Sequence, residues 1–198
     1  QLAGKPLLAH TLEKFERCAG VQGIVLVAPA DSIDAVEEIA KDFQKIRSTV
    51  AGGAERQDSV REGLKAVPNE ADIIVVHDGA RPLVFASEIE AAIEAAGETG
   101  AAVVGQPVSD TIKRAHEGAV VETLDRSELW AVQTPQVFQS GVIREAHRVA
   151  EADGFVGTDD TVLAERIGKR VSLVEGSREN IKVTHPGDLE RAEDIQAR

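Results

Sequence analysis

Apolar positions along the 198 residues recur at two spacings, and the two alternate. Leu7, Leu8, Leu12 and Phe15 fall at helical intervals behind Pro6, a residue suited to a first turn, and predict a helix over 6–15. Gly23-Ile24-Val25-Leu26-Val27-Ala28 is a continuous apolar run and predicts a strand buried on both faces. Ile33, Val36, Ile39, Ala40 and Phe43 stripe a second helix, with Asp31 or Ser32 as its cap. Residues 46–50 predict a strand closed by Gly52-Gly53, and 58–66 a helix with Asp58 as its cap. The strongest strand signal is 71–77, followed by a helix over 87–96 capped by Ser87 and a strand over 101–106. Residues 111–115 and 119–124 flank His116-Glu117-Gly118 as a hairpin. A strand over 129–133 comes next, then helices over 140–151, 158–167 and 187–197, with strands at 170–174 and 180–184.

This order predicts an α/β fold: a mostly parallel sheet with helices on both faces and right-handed crossovers. The polar hairpin breaks the alternation, so residues 110–126 are expected to project as a β-arm. No repeat, low-complexity tract or long linker divides the chain, which reads as one domain over 1–198.

Charge narrows the partners. Asp plus Glu is 34 against 22 Lys plus Arg, a net charge of −12. A bulk nucleic-acid or membrane-surface binder needs a positive footprint, so neither is expected. No apolar run reaches the roughly 18 residues of a membrane span, and no signal peptide is evident. The single cysteine, Cys18, excludes an intrachain disulfide and predicts a buried structural thiol; a reducing cytoplasmic setting is the default. Met is absent and Gln1 opens inside a running domain, which predicts that the natural N-terminus lies further upstream.

Open α/β sheets bind ligands beyond the carboxyl ends of their strands. After 46–50 comes Gly52-Gly53-Ala54-Glu55-Arg56-Gln57-Asp58-Ser59, where two glycines admit a ligand close to backbone and Arg56 and Ser59 add polar groups. An ordinary strand-to-helix turn explains the same residues. After 73–76 comes His77-Asp78-Gly79-Ala80-Arg81-Pro82. Asp78 can hold Mg²⁺ or a sugar hydroxyl, and Arg81 can grip a phosphate with two nitrogens. The competing reading is an Asp–Arg pair bracing a turn; the position beyond a strand favours function. His77 reads as a packed residue rather than a base. Thr111, Thr134 and Gln136 are polar groups on strands or turns, Thr158-Asp159-Asp160 reads as a helix start, and Lys182 stands opposite Ile181 and Val183.

In order, Gly-Lys-Pro-Leu-Leu-Ala-His-Thr-Leu (4–12), Gly-Gly-Ala-Glu-Arg-Gln-Asp-Ser-Val (52–60), His-Asp-Gly-Ala-Arg-Pro (77–82), Asp-Thr-Ile-Lys (110–113), Gln-Thr-Pro-Gln-Val-Phe (133–138), Thr-Asp-Asp (158–160) and Asn-Ile-Lys-Val-Thr (180–184) closely resemble the 2-C-methyl-D-erythritol 4-phosphate cytidylyltransferases. The resemblance implies a Rossmann-like nucleotidyltransferase, homodimeric through its arm. Such an enzyme transfers CMP from CTP to 2-C-methyl-D-erythritol 4-phosphate with Mg²⁺ and releases diphosphate. It implies that Gly52, Gly53 and Ser59 recognise cytosine, and that Asp78 lies near ribose, metal and acceptor. Arg81, Thr111, Thr134 and Thr158 would line the acceptor site. Arg126 would reach the partner's site, and Lys182 would position the attacking phosphate. That phosphate is already a nucleophile at neutral pH, so the chemistry needs fixed cations more than a base. The family's glycine-rich phosphate loop lies upstream of the Gly-Lys-Pro match and is absent from this sequence. Two other readings share these residues: a ribitol 5-phosphate cytidylyltransferase, and a non-catalytic nucleotide-binding scaffold. A dinucleotide oxidoreductase lacks its Gly-x-Gly-x-x-Gly.

Overall fold

The computed structural model describes residues 1–197. In chain order the elements are α1 (Leu7–Arg17), β1 (Ile24–Ala28), α2 (Ile33–Ala40), β2 (Ile46–Ala51), α3 (Arg56–Ala66), β3 (Ile73–Val76), α4 (Ala86–Thr99), β4 (Ala101–Pro107), β5 (Lys113–His116), β6 (Ala119–Thr123), β7 (Trp130–Gln139), α5 (Ser140–Ala152), α6 (Asp160–Arg166), β8 (Val171–Glu175) and α7 (Pro186–Gln196). Strands β1 and β2 pair in parallel; β3, β7, β4 and β8 form a four-stranded sheet in that order. There β7 runs antiparallel to β3 and β4, while β8 runs parallel to β4. Three of the four strands therefore point one way, and the reversed β7 is wedged among them. This is the expected α/β, Rossmann-like arrangement.

Phe138 and Val137 of β7, Ala101, Ala102 and Val104 of β4, Ile89 of α4, Ile143 of α5 and Leu163 of α6 are all fully buried. Each large aliphatic or aromatic side chain among them contributes about 2 kcal/mol through removal from water. Leu12, Leu26 and Ala40 pack α1, β1 and α2 together, with Val36, Ile39 and Phe43 of the predicted stripe against them. Cys18 is buried, as its apolar setting predicts. Among the described residues no helix is long and apolar enough to cross a membrane.

Several local expectations are corrected. Strand β1 buries Leu26 and Ala28, while Val27 on the other face, against Gly63 of α3, is 38% exposed, so the second face is covered only in part. Helix α3 begins two residues early: Glu55 is its N-cap, and Asp58 at the third position accepts the Glu55 N–H at 3.3 Å. Helix α4 is capped at Phe85 rather than Ser87, because the buried Glu88 carboxylate accepts the Phe85 N–H at 2.9 Å. Strand β7 continues through Pro135 to Gln139, where a strand ending at Gln133 was expected. The register against β4 shifts between Val103 and Gly105, so the residue without an N–H sits at an irregularity. Residues 180–184 form no ladder; Ile181 and Val183 face the core while Lys182 faces out, so the alternation holds without a strand.

The hairpin is present as predicted. β5 and β6 pair only with each other, and every residue of both is exposed, including Val120 and Val121 at 64% each.

Candidate active site

Pairing of β3 with β7 ends at Val76 opposite Gln136. Beyond it the chain turns, and the next residues of β7 lie beside the turn. The Asp78 N–H donates to Thr134 Oγ1 at 3.1 Å, so a side-chain oxygen does what a ladder carbonyl would have done. Thr134 Oγ1 lies 3.0 Å from His77 Nδ1, and His77 Nε2 lies 3.2 Å from the Arg81 carbonyl. A carbonyl only accepts, so Nε2 carries the imidazole proton and Nδ1 accepts from the threonine hydroxyl. Burial pushes the His77 pKa down to about 4, against the Arg81 hydrogen bond and the Asp78 charge, and the ring stacks obliquely on Phe15. His77 is thus a neutral brace, as expected, and not a base.

The turn aims Asp78 at three cations. Lys182 Nζ lies 3.0 Å from Asp78 Oδ2, Arg81 Nε lies 3.5 Å from the same oxygen, and Arg56 Nε lies 3.7 Å from Oδ1. Burial works to raise the Asp78 pKa, but the Lys182 hydrogen bond and charge, then the Arg56 and Arg81 charges, outweigh it and hold the carboxyl below its ordinary value. Burial also draws the Arg81 pKa down, with Asp78 opposing. Arg56 is held from behind by the buried Asp160 carboxylate at 2.6 Å, whose other oxygen faces His147 Nε2 at 2.8 Å. Gln136, also buried, places its Oε1 3.4 Å from Arg56 Nη2 and donates to Asp159 at 2.8 Å. Arg56, Arg81 and Lys182 stand here with Asp78, Asp160 and, through Gln136, Asp159, so the cluster is balanced in charge within a chain of net charge −12. Such a cluster holds three cations fixed side by side in a chain whose overall charge is negative.

The Gly52-Gly53 turn leads into α3, which carries Arg56. Gly53 N–H donates to Ser59 Oγ at 3.2 Å, and that hydroxyl donates to the Glu55 carbonyl at 3.1 Å. A Cβ on Gly53 would stand 2.3 Å from Asp58 Cβ, and one on Gly52 2.6 Å from Ser59 Oγ, so only glycine lets the turn lie this close to α3.

Asp78, Arg81, Lys182 and Thr134 therefore converge, and Arg56 at the start of α3 links them to Gly52, Gly53 and Ser59. Thr158 is exposed, one residue ahead of the Asp159 N-cap of α6. Thr111 and Arg126 do not join the cluster: both are exposed on the arm, and Arg126 Nη1 donates to the Ser109 carbonyl. Among the described residues neither is bonded to Asp78, Arg81 or Lys182. Reading the sequence left Asp160 and Gln136 aside as a helix start and a strand polar group. The one available signal was two adjacent acids where a cap needs one.

The IspD family model, 2-C-methyl-D-erythritol 4-phosphate cytidylyltransferase, matches residues 1–198. The enzyme of that name from Bacillus velezensis is 50% identical over 197 residues, covering 98% of this chain and 84% of that protein. Its counterpart from Halalkalibacterium halodurans is 48% identical, covering 100% and 87%. The crystal structure of the Thermus thermophilus enzyme superposes with a TM-score of 0.87 at 35% identity, over 100% of this chain and 92% of that one. The 4-diphosphocytidyl-2C-methyl-D-erythritol synthase of Anaerococcus prevotii gives 0.93 at 29% identity, over 100% and 88%. The chain therefore belongs to the 2-C-methyl-D-erythritol 4-phosphate cytidylyltransferase family and is a nucleotidyltransferase.

Proposed function

We propose that Arg81 and Lys182 grip the phosphate of 2-C-methyl-D-erythritol 4-phosphate and aim it at the α-phosphorus of CTP, so that CMP is transferred and diphosphate leaves. The convergence of Arg56, Arg81 and Lys182 on one carboxylate supports this reading above all else. Two phosphates repel as they approach, and cations already fixed in place offset that repulsion without reorganising during the reaction. Lys182, 42% exposed and held by a single carboxylate oxygen, is the cation freest to exchange Asp78 for a phosphate. Arg81, 12% exposed and tied to the Asn180 carbonyl at 2.8 Å, is the fixed one. Thr134, with both roles of its hydroxyl engaged, acts by holding Asp78 in place. Thr111 and Thr158 would contact the acceptor from the rim. Gly52, Gly53 and Ser59 would read the cytosine edge through backbone groups and the serine hydroxyl.

Asp78 Oδ1 is the less engaged carboxylate oxygen, 3.7 Å from its nearest cation. One carboxylate oxygen fits Mg²⁺ that arrives with CTP and takes its remaining ligands from phosphate and water. Bound there, the ion would neutralise charge on the triphosphate. The exposed arm supports a homodimer: an isolated two-stranded hairpin is marginal in water, and Val120 and Val121 call for a cover. Arg126 would then enter the partner's site. One buried thiol with no second cysteine fits a cytoplasmic setting.

Diphosphate release from CTP, assayed side by side with 2-C-methyl-D-erythritol 4-phosphate and ribitol 5-phosphate, tests the reading. Preference for the former supports it; preference for ribitol 5-phosphate, or no release with either, overturns it.

A further inference from the structure

Lys182 lies in a segment without a ladder, so something other than sheet pairing must place its ammonium. From Gly176 the chain leaves β8 and crosses the end of β7. A Cβ on Gly176 would stand 2.3 Å from Val104 Cγ1 and 2.8 Å from Gln133 Oε1, so the crossing is pressed against the sheet. It is tied down at Ser177, whose N–H donates to the buried Glu88 carboxylate. The next tie is Asn180, fully buried. Its Nδ2 donates to the Thr134 carbonyl at 3.0 Å and faces Gln133 Oε1 at 3.4 Å, while its own carbonyl accepts from Arg81 Nη1 at 2.8 Å. After Lys182, the Val183 N–H donates to the Ala80 carbonyl at 2.8 Å. One residue thus touches the strand that carries Thr134 and the guanidinium of Arg81, two positions ahead of Lys182.

The geometry points to Asn180 as the positioning residue that sets Lys182 in register with Arg81 and Asp78 for the transfer step. The assignment rests on the cation-cluster reading above. Asn180 touches no reacting atom; its side-chain amide substitutes for the missing ladder, and its buried Oδ1 has no partner, so the donor side alone makes the tie. Losing that tie frees the segment between Ser177 and Val183. A displacement of about 1 Å in a phosphate-orienting group lowers turnover about 10²-fold.

A double-substitution cycle tests it. Asn180→Ala is expected to lower kcat about 10²-fold with the KM for CTP changed less than about threefold, and to cost less than about threefold when introduced into Lys182→Ala. A structural role alone would penalise both backgrounds equally. Wild-type kcat in Asn180→Ala, or an undiminished penalty in the Lys182→Ala background, overturns the assignment. If the alanine variant does not fold, the same cycle is read with Asn180→Asp, which keeps the volume but turns the donor facing Thr134 into an acceptor. Absence of diphosphate release by the wild-type protein would instead overturn the cation-cluster reading, and this inference with it.

Discussion

Asp78 and Arg126 are both charged residues on turns, yet their surroundings are opposite. Asp78 is 16% exposed and meets three cations from α3, its own turn and the segment after β8. Its backbone is fixed by Thr134 and, through it, by a neutral histidine. Arg126 is exposed, follows a hairpin that among the described residues pairs with nothing else, and donates to a backbone carbonyl. The charges of one region are matched within a single chain. Among the described residues the other presents a cation and two exposed valines without a carboxylate or a cover. Substitutions in the first should act in their own protomer, and those in the second on a neighbour.

The largest effect is expected at Lys182. Lys182→Ala should lower kcat about 10³-fold in a diphosphate-release assay, with the thermal midpoint nearly unchanged, because a half-exposed cation adds little stability. Wild-type turnover would remove the Asp78 cluster from the chemistry. Arg126→Ala should cost about 10²-fold, and it should do so in trans. Mixed and re-equilibrated with Lys182→Ala, it should regain about a quarter of wild-type activity, since random pairing makes half the dimers mixed and each holds one intact site. Failure to regain activity would mean that the arm does not complete a partner's site. Smaller still, Asp78→Asn should lower stability by about 2 kcal/mol near neutral pH, between the values for exposed and fully buried pairs. Because Asp78's folded pKa lies below its ordinary value of 3.8, its contribution is present above that value and is lost as pH falls below it. Denaturant titrations of wild type and variant should therefore converge as pH falls below 3.8. A gap that stays constant with pH would show that the carboxylate charge is not what the cations hold.

The same contrast explains what could be read without coordinates. The helices and strands were legible because their apolar spacing reports burial directly, and the arm was legible because its polarity breaks that spacing. Asp78 and Arg81 follow a strand end, so their position pointed to a site; Lys182, inside a short alternating segment, was singled out by the family resemblance alone. Arg56 with Asp160 was hidden, since the pair spans 104 positions and each residue has an ordinary local role at a helix start. Strand β7 misled because proline usually ends a ladder, and here an irregularity opposite β4 absorbs it. Residues 180–184 misled for the converse reason: their alternation is real, but a side-chain amide holds them where a neighbouring strand was expected.

The central claim is that fixed cations around Asp78 grip the acceptor's phosphate. Calorimetric binding of 2-C-methyl-D-erythritol 4-phosphate and of unphosphorylated 2-C-methyl-D-erythritol, to wild type and to Lys182→Ala, isolates that grip. The account predicts that the phosphate tightens binding about 10²-fold in wild type and less than about tenfold in the variant, the size of a desolvated charge pair. An equal gain in both proteins would contradict it.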